Sequence, residues 1–597
     1  YVARTGGGMM RWQRDRFLAW LLFLAWCALL TAFLYGSSLD LPAFFDDFVH
    51  YPYVAANGIR DIWLTLDELA YYRPLTFSLW RMTYAAGQGH MLAADRAINL
   101  ILHALNGALV GLLALRLWSK GGSSPPIAEG APDWWRAGLS ATLFILFPFS
   151  YQAVPWIGSL SHILVTTLIL LSLTCYLQMR RSGSKVWGAA SLVLALLAPF
   201  AHENGVLVMP LLVAIELTTP NAAGRWRRAV QAGVIWSLPY LIYLPIWFAL
   251  PRLESGSLFP NNLEGLLQNT AYFLQGAFYP FTGLGGRLFH TWGINDMAAV
   301  AGLSGLGIIV AVAVQIRQRA NLRSLLPWIW WLLAVLPAIP FLLFEYVING
   351  PRLLMVASVG IAWLWTDVLL LFARGAPRGS RGRLLRTAAA GLALVLLLAQ
   401  NSLFVRERMQ LHKVLGDGFA QVITAAGEAN SAGRKAVVIN MPSWMAPVRS
   451  DFALGHEGVL FWPDYVPHEI LLGVNNGAPG QLDFVRVDSV SPDPADIYFG
   501  LTGPPAEWPA LLADAAEVLQ AEFTKEQVQL RPVGGTAAVA DNGSGPVASY
   551  QVEGQAGGVA LLAAKAVASG EGVRVDLVWQ AQEAPQNVTV FVHLIDD

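Results

Sequence analysis

The chain has 597 residues, of which 55% are hydrophobic and only 13% are charged. Soluble domains carry about 25% charged residues, so this composition excludes an ordinary soluble protein and indicates a chain that largely faces lipid. The net charge of -1 gives no support for nucleic-acid binding, and two cysteines, Cys27 and Cys175, exclude a disulfide framework.

Apolar runs predict a polytopic membrane protein of about eleven transmembrane helices. Residues 1–16 precede the first run and form a predicted cytoplasmic tail, and residues 17–405 form a predicted transmembrane domain. Three of the runs are short for a span. The predicted spans are 17–35, 92–117, 136–150, 160–179, 186–201, 205–218, 229–250, 297–316, 325–344, 352–372 and 387–405, with 136–150, 186–201 and 205–218 the short ones.

The distribution of Arg and Lys orients these spans. With the N-terminus in the cytoplasm, the predicted inner segments hold a strong excess of basic residues over the outer loops, in agreement with the positive-inside rule. This orientation places three polar segments on the same outer face, namely Asp46-Asp47, His202-Glu203 and the loop that ends at Arg352. The amphipathic stretches 50–69 and 261–279 fit helices on the membrane surface beside them.

The chain after residue 405 predicts an extracytoplasmic region. Residues 406–535 predict an α/β domain, with a buried strand over 435–441 and an amphipathic helix over 505–522. Beyond the turn-rich linker 542–545, residues 546–597 predict a β-sandwich-like domain. Its alternating runs are 573–579 and 588–592, and because the sequence stops inside such a pattern we expect this domain to be incomplete.

Asp46 and Asp47 are the first candidate site residues. They follow Leu-Pro-Ala-Phe-Phe just past the first predicted span. Carboxylates among apolar residues at a membrane face are costly unless water, a cation or a substrate accompanies them. The structural alternative is a helix N-cap or a solvated loop. Two neighbouring acids near lipid could have the raised pKa that helps a carboxylate to remove a proton from an alcohol.

Five segments in order give the chain a resemblance to a known family. They resemble the GT-C membrane glycosyltransferases, and in particular the protein O-mannosyltransferases and the transmembrane O-mannosyltransferases that carry TPR repeats. The resemblance covers about residues 17–370, and the TPR repeats are absent. The segments are Tyr71-Tyr72-Arg73-Pro74-Leu75-Thr76-Phe77, 97–106, 147–157, Ala201-His202-Glu203-Asn204-Gly205 and 350–360.

The resemblance implies transfer of a sugar from a polyprenyl-phosphate donor to an acceptor hydroxyl at the outer face, with inversion. It implies that Asp46 is the general base, with Asp47 as helper or substitute. Arg73, His202 and Arg352 are the candidates for the donor phosphate, and Glu203 could orient His202 or the acceptor. The relatives usually have Lys-Glu where this chain has His202-Glu203, so the sugar and the acceptor are not carried over.

Other readings stay open on the sequence alone. The chain could be a transporter or flippase for lipid-linked sugars, a non-catalytic envelope scaffold, or a transferase with a diphosphate-linked donor. The acceptor could be a protein, a lipid or a glycan. The need for a divalent ion is undecided because some GT-C enzymes use one and others do not, and the sequence itself indicates no metal site. We expect a bacterial inner membrane, with the C-terminal region periplasmic or extracellular.

Overall fold

A computed structural model of the chain describes residues 6–65, 71–87, 91–118, 134–220, 224–250, 261–375, 380–463, 466–476, 480–487, 497–505, 515–523, 526–534, 548–551, 558–569 and 572–581. The predicted linker at 542–545 and the predicted strand at 588–592 lie outside these residues, as does part of the amphipathic stretch 50–69. The stretch 261–279 is helical where the sequence predicts a helix.

Up to Ser431, the described residues are mainly helical, with short 3-10 turns between several helices. These turns are Gly36–Asp40, Ile157–Ser159, Glu203–Leu207, Leu322–Leu325 and Pro351–Leu354. The helices of the whole described chain are α1 (Gly6–Tyr35), α2 (Asp47–Ala56), α3 (Ile59–Leu64), α4 (Pro74–Ala86), α5 (Leu92–Trp118), α6 (Trp134–Ile145), α7 (Ser150–Ala153), α8 (Leu160–Ser182), α9 (Lys185–Ala201), α10 (Val208–Leu217), α11 (Arg225–Trp236), α12 (Leu238–Ala249), α13 (Leu263–Ala277), α14 (Tyr279–Thr282), α15 (Gly285–Trp292), α16 (Asp296–Arg317), α17 (Leu326–Val335), α18 (Ala338–Phe341), α19 (Phe344–Ile348), α20 (Ala357–Arg374), α21 (Arg381–Ser431) and α22 (His468–Asn476).

The chain is an α-helical polytopic membrane protein. Within the described ranges, seven helical segments are long and apolar enough to cross a membrane, and an eighth follows if α11 and α12, which meet at 45°, form one bent span. The sequence predicts eleven spans, and the difference lies in the three short runs. They are helical as α6, α9 and α10, but these helices have 12, 17 and 10 residues. A straight span needs about 20 residues, so these helices are too short to cross alone.

Close backbone approach and buried amides hold the bundle together. A Cβ at Gly111 of α5 would lie 2.5 Å from the Phe23 ring and 2.7 Å from the Ala137 carbonyl oxygen, so α1, α5 and α6 meet closely at this position. Asn106 of α5 donates to the Ile163 carbonyl of α8 at 3.1 Å. Small residues and interhelical amide bonds are the usual means of association where lipid provides no hydrophobic driving force.

The described residues of the C-terminal part form three small sheets. Strands β4, β1 and β6 are parallel, and β7 adds to β6 in antiparallel orientation. The second sheet has the order β3-β2-β5 and the third β10-β9-β8. The strands are β1 (Lys435–Ile439), β2 (Pro442–Pro447), β3 (Val459–Leu460), β4 (Leu482–Val485), β5 (Ile497–Leu501), β6 (Ala515–Phe523), β7 (Val528–Gly534), β8 (Ala548–Gln551), β9 (Gly558–Ser569) and β10 (Gly572–Ala581).

The predicted strand over 435–441 is confirmed as β1, whereas the predicted amphipathic helix over 505–522 is wrong where the structure describes it. Residues 515–523 form β6, an inner strand of the first sheet. Val518 and Leu519 are adjacent and both buried. An inner strand covered on both faces loses the simple alternation of apolar and polar residues, and its pattern then resembles that of a helix.

Helix α21 connects the bundle to the first two sheets without a break. It runs over 51 residues, so the predicted domain boundary at 405/406 lies inside a continuous helix. Its last turns bury an apolar stripe that includes Leu415, Phe419 and Val422. Phe419 stacks on Phe461, which also stacks on Phe44 of the first loop. The division of the chain into domains stays a prediction.

Candidate active site

A buried arginine holds the first loop, residues 41–46, through hydrogen bonds to its backbone. Arg96 of α5 is fully buried and donates from its two terminal nitrogens to the carbonyls of Leu41 and Pro42. The Phe45 N–H donates to the Phe461 carbonyl at 2.8 Å, and Phe45 has φ of 55°, in the left-handed region. Such backbone conformations persist in non-glycine residues only when the surroundings impose them, and they concentrate at functional sites.

The two aspartates have different surroundings. Asp47 is 1% exposed, and its Oδ2 and Oδ1 accept the backbone N–H groups of Phe44 at 3.1 Å and Gly158 at 2.9 Å. Burial raises the pKa of Asp47 to about 7, although Arg96 and the two N–H donors oppose this shift. Asp46, at the start of α2, is only partly buried. Asp47 therefore braces the loop, and Asp46 is the carboxylate that a molecule from outside can reach.

Arg73 and Glu203 form the second part of the site. The Arg73 Nη2 and Nε lie 3.0 and 3.3 Å from the two carboxylate oxygens of Glu203, a two-point contact. The Arg73 Nη1 donates to Ser161 at 3.4 Å, and the guanidinium lies 4.6 Å from the Tyr71 ring centre. The Glu203 charge raises the pKa of Arg73 against the opposing effect of burial. The pair joins the loop before α4 to the turn after α9.

His202 contributes a neutral imidazole. Its Nδ1 accepts the Asn204 N–H at 3.1 Å, which requires an unprotonated Nδ1. Burial, together with the charges of Arg73 and Arg352, lowers the pKa of His202 well below its usual value. The 3.2 Å approach of Glu203 Oε2 to the same nitrogen is therefore not an ion pair. Glu203 is neutralised by Arg73, and His202 adds no positive charge at neutral pH.

Arg352, on the turn before α20, has neutral hydrogen-bond partners. Its Nη1 donates to Gln152 Oε1 and its Nη2 to the Tyr346 hydroxyl, both at 3.0 Å. The guanidinium also lies 4.9 Å from the Trp156 ring centre. Arg352 is 6% exposed, whereas Tyr346 is 48% exposed. The positive charge therefore lies just beneath an open aromatic side chain.

The structure brings all the predicted site residues to one end of the bundle. The Trp156 ring lies between Arg352 and Phe45, whose ring centre is 4.8 Å away, and Phe45 directly precedes Asp46. On the other side, the His202 ring lies 4.2 Å from that of His162, next to the Arg73–Glu203 pair. These contacts link segments that lie far apart in sequence.

Several residues of this region carry no clear signal in the sequence. The His50 Nε2 and the Tyr71 hydroxyl share a hydrogen bond. The His50 ring stacks on the Trp80 ring, with 5.2 Å between the ring centres. Burial lowers the pKa of His50 to about 4, so it is neutral at pH 7. His162 lies on an apolar helix, where sequence gives no reason to distinguish it from a core residue. His50 lies four residues after Asp46, a spacing that places both on one face of α2.

The C-terminal region packs directly on this end of the bundle. Phe452 contacts the ring of Phe149 at 4.7 Å, and Gln275 of α13 exchanges two hydrogen bonds with the backbone of Leu454, at 2.7 and 2.9 Å. The nearby Arg408–Glu457 ion pair is buried, with a nitrogen–oxygen distance of 2.6 Å. Burial raises the pKa of Glu457 to about 7 against the effect of Arg408. These contacts hold the loop 451–457 beside the site.

Within the described part of the chain, no group of three or more His, Cys, Asp or Glu residues is arranged to hold a metal ion. No family model matches the sequence, and no curated protein sequence matches it. Among solved structures, the chain is similar to the arabinofuranosyltransferase AftD from Mycobacteria, with 16% identity and a TM-score of 0.33. The match covers 76% of this chain and 33% of the AftD chain, so this chain spans about a third of the length of that protein.

Proposed function

We propose that the protein is a membrane glycosyltransferase of the GT-C type that transfers a sugar from a polyprenyl-phosphate donor to an acceptor hydroxyl at the outer face. The observation that carries the proposal is the convergence of Asp46, Arg73 and Arg352 at one end of an apolar bundle. A lipid-linked donor keeps its prenyl chain in the bilayer, so its phosphate and sugar lie at the interface. A carboxylate and two cationic groups at that interface are the parts that such a transfer needs.

Asp46 is the proposed general base. Asp47 is buried, with both carboxylate oxygens accepting backbone N–H groups, whereas Asp46 is only partly buried, so its position is the more accessible one for an incoming hydroxyl. The acceptor oxygen attacks the anomeric carbon as the bond from that carbon to the phosphate oxygen breaks, and the configuration inverts. General-base catalysis of this kind contributes about 10²–10⁴-fold in rate.

Arg352 and Arg73 are proposed to bind the donor phosphate. The leaving phosphate gains a negative charge, and pre-positioned guanidinium groups stabilise such a charge best in a site with little water. The Arg352 guanidinium is hydrogen-bonded to two neutral side chains, so it can reorient toward a phosphate. Arg73 is held by Glu203, so Glu203 orients the arginine, and His202 packs beside the pair as a neutral hydrogen-bonding group.

The proposed setting is a bacterial inner membrane, with the N-terminus in the cytoplasm and the site on the outer side. The excess of basic residues in the predicted inner segments supports this orientation. The acceptor could be a protein, a lipid or a glycan.

The test is sugar transfer by the purified protein in detergent from a panel of radiolabelled polyprenyl-phosphate sugars. The wild type is compared with Asp46→Asn and Asp47→Asn, and folding of each variant is checked by its melting temperature. We expect turnover by the wild type and a loss of about 10²–10⁴-fold in Asp46→Asn at unchanged melting temperature. A folded wild type that turns over no monophosphate donor contradicts the proposal and favours a diphosphate donor, a transporter or a scaffold.

A further inference from the structure

His162 is a buried imidazole that the proposed chemistry does not yet use. It lies in the first turn of α8, is 3% exposed, and its Nδ1 has no hydrogen-bond partner within the described structure. A buried polar atom without a partner costs free energy, so its presence calls for an explanation such as a ligand. Its ring lies against His202, and the preceding residue, Ser161, accepts a hydrogen bond from Arg73.

The surroundings of His162 favour an anion. The charged and titratable groups that act on it are Arg73 from the loop before α4, Arg352 from the turn before α20, and His202 and Glu203 from the turn after α9. Only Glu203 is negative, and Arg73 already neutralises it. The N-terminal end of the 23-residue helix α8 adds the positive end of a helix dipole. Among the groups that act on His162, one positive charge is therefore in excess.

The two neighbouring imidazoles, His162 and His202, differ in the hydrogen bonds that their Nδ1 atoms make. The Nδ1 of His202 is engaged by the Asn204 N–H, so protonation there would break an existing hydrogen bond. The Nδ1 of His162 has no such bond to lose. Of the two, His162 is the group that can take up a proton when a further negative charge arrives.

We infer that His162 recognises the leaving phosphate monoester and takes up a proton as that product forms or binds. This inference rests on the proposed function. The donor is a phosphodiester with one negative charge, and transfer of the sugar leaves a phosphate monoester with a second negative charge. Breaking the bond from the anomeric carbon to oxygen leaves the electron pair on that oxygen. A protonated His162 neutralises the added charge, while the acceptor proton goes to Asp46.

The test measures binding of two probes by calorimetry at pH 7.5, a polyprenyl phosphate monoester and its methyl diester. Titrations in two buffers of different ionisation enthalpy give the number of protons taken up. We expect about one proton with the monoester and none with the diester, since a monoester phosphate with pKa near 6 is already mostly a dianion at this pH. His162→Gln should abolish the uptake and weaken monoester binding by roughly 10- to 100-fold, with a much smaller effect on the diester.

His290→Gln is the matched control, because His290 is hydrogen-bonded to Ser450 and is not among the groups that act on His162. It should leave both the affinity and the proton uptake unchanged. The inference is overturned if the wild type binds the monoester without net proton uptake, or if His162→Gln weakens both probes equally. The wild-type titrations decide the first point even if the variant does not fold.

The two proposals fail in different ways. Diester binding and sugar transfer with no proton uptake would leave the proposed function in place and remove only the role of His162. If neither probe binds to a folded wild type, both the role of His162 and the polyprenyl-phosphate donor are contradicted.

Discussion

The Asp47 Oδ1 accepts the backbone N–H of Gly158 at 2.9 Å, across 111 positions of sequence. This hydrogen bond joins the first loop to the turn that precedes α8, and it therefore holds Asp46 in a fixed relation to Trp156 and His162. The two adjacent aspartates thus have separate tasks in our proposal, one structural and one chemical.

The first prediction concerns the structural task of Asp47. Asp47→Asn replaces one acceptor oxygen with an amide that cannot accept from Phe44 or Gly158, so one buried N–H loses its partner. We expect a loss of about 1–3 kcal/mol in stability, seen as a lower melting temperature in detergent. Asp46→Asn is the matched control and should destabilise the protein less than Asp47→Asn does, because Asp46 is only partly buried. Equal destabilisation by both variants would contradict the division of tasks.

The second prediction concerns Arg352. Arg352→Gln removes a guanidinium proposed to contact the donor phosphate, so the KM for the donor should rise by roughly 10- to 100-fold, as expected for loss of a charged hydrogen bond. Arg352→Lys keeps the positive charge but loses the planar guanidinium with its paired donors. Its KM for the donor should therefore lie between that of the wild type and that of Arg352→Gln. Tyr346→Phe removes only the hydroxyl that accepts from Arg352 and should change KM less than either. An unchanged KM in Arg352→Gln would exclude Arg352 from the donor site.

The third prediction is a pH dependence of stability that arises from His50. Burial lowers its pKa from 6.5 to about 4, so between these values the unfolded chain binds a proton that the folded chain does not. Stability should therefore decrease as the pH falls from 6.5 to 4, by at most about 3 kcal/mol from this residue. His50→Gln should flatten the melting temperature across this range relative to the wild type. An identical slope in both proteins would show that His50 is not neutral in the folded state.

The fourth prediction concerns the turn that carries His202 and Glu203. A Cβ at Gly205 would lie 2.2 Å from both the Ala198 carbonyl carbon and the Pro199 nitrogen, so backbone must move to admit it. Gly205→Ala should displace the turn and reduce transfer at least as strongly as Glu203→Gln. Gly302→Ala in α16 is the control, because a Cβ there meets nothing within 4 Å. That substitution should be neutral or slightly stabilising, since alanine has the higher helix propensity. Full activity of Gly205→Ala would contradict the importance of this turn.

The sequence by itself determined that the chain is an α-helical polytopic membrane protein, and it predicted the segments of the candidate site. Spans are set by local hydropathy, because the bilayer dictates how long an apolar helix must be, and this property needs no knowledge of the fold. The charge distribution also predicts that Asp46, Glu203 and Arg352 lie on the same outer face, and the structure places their segments at one end of the bundle. The runs that form α6, α9 and α10 show what local hydropathy cannot decide, since an apolar helix can be buried in the protein without being long enough to span the membrane.

Only the tertiary structure decided the surroundings of each candidate site residue. Asp46 and Asp47 are adjacent in sequence, and they differ because Asp47 is buried and accepts the N–H groups of Phe44 and Gly158, whereas Asp46 is only partly buried. Arg73 meets Glu203 across 130 positions, and this contact decides which arginine is already neutralised. Residues 515–523 likewise became a strand through pairing with β1. Hydrogen bonds and burial between distant segments set these outcomes, and a local sequence pattern contains no information about which distant segments will meet.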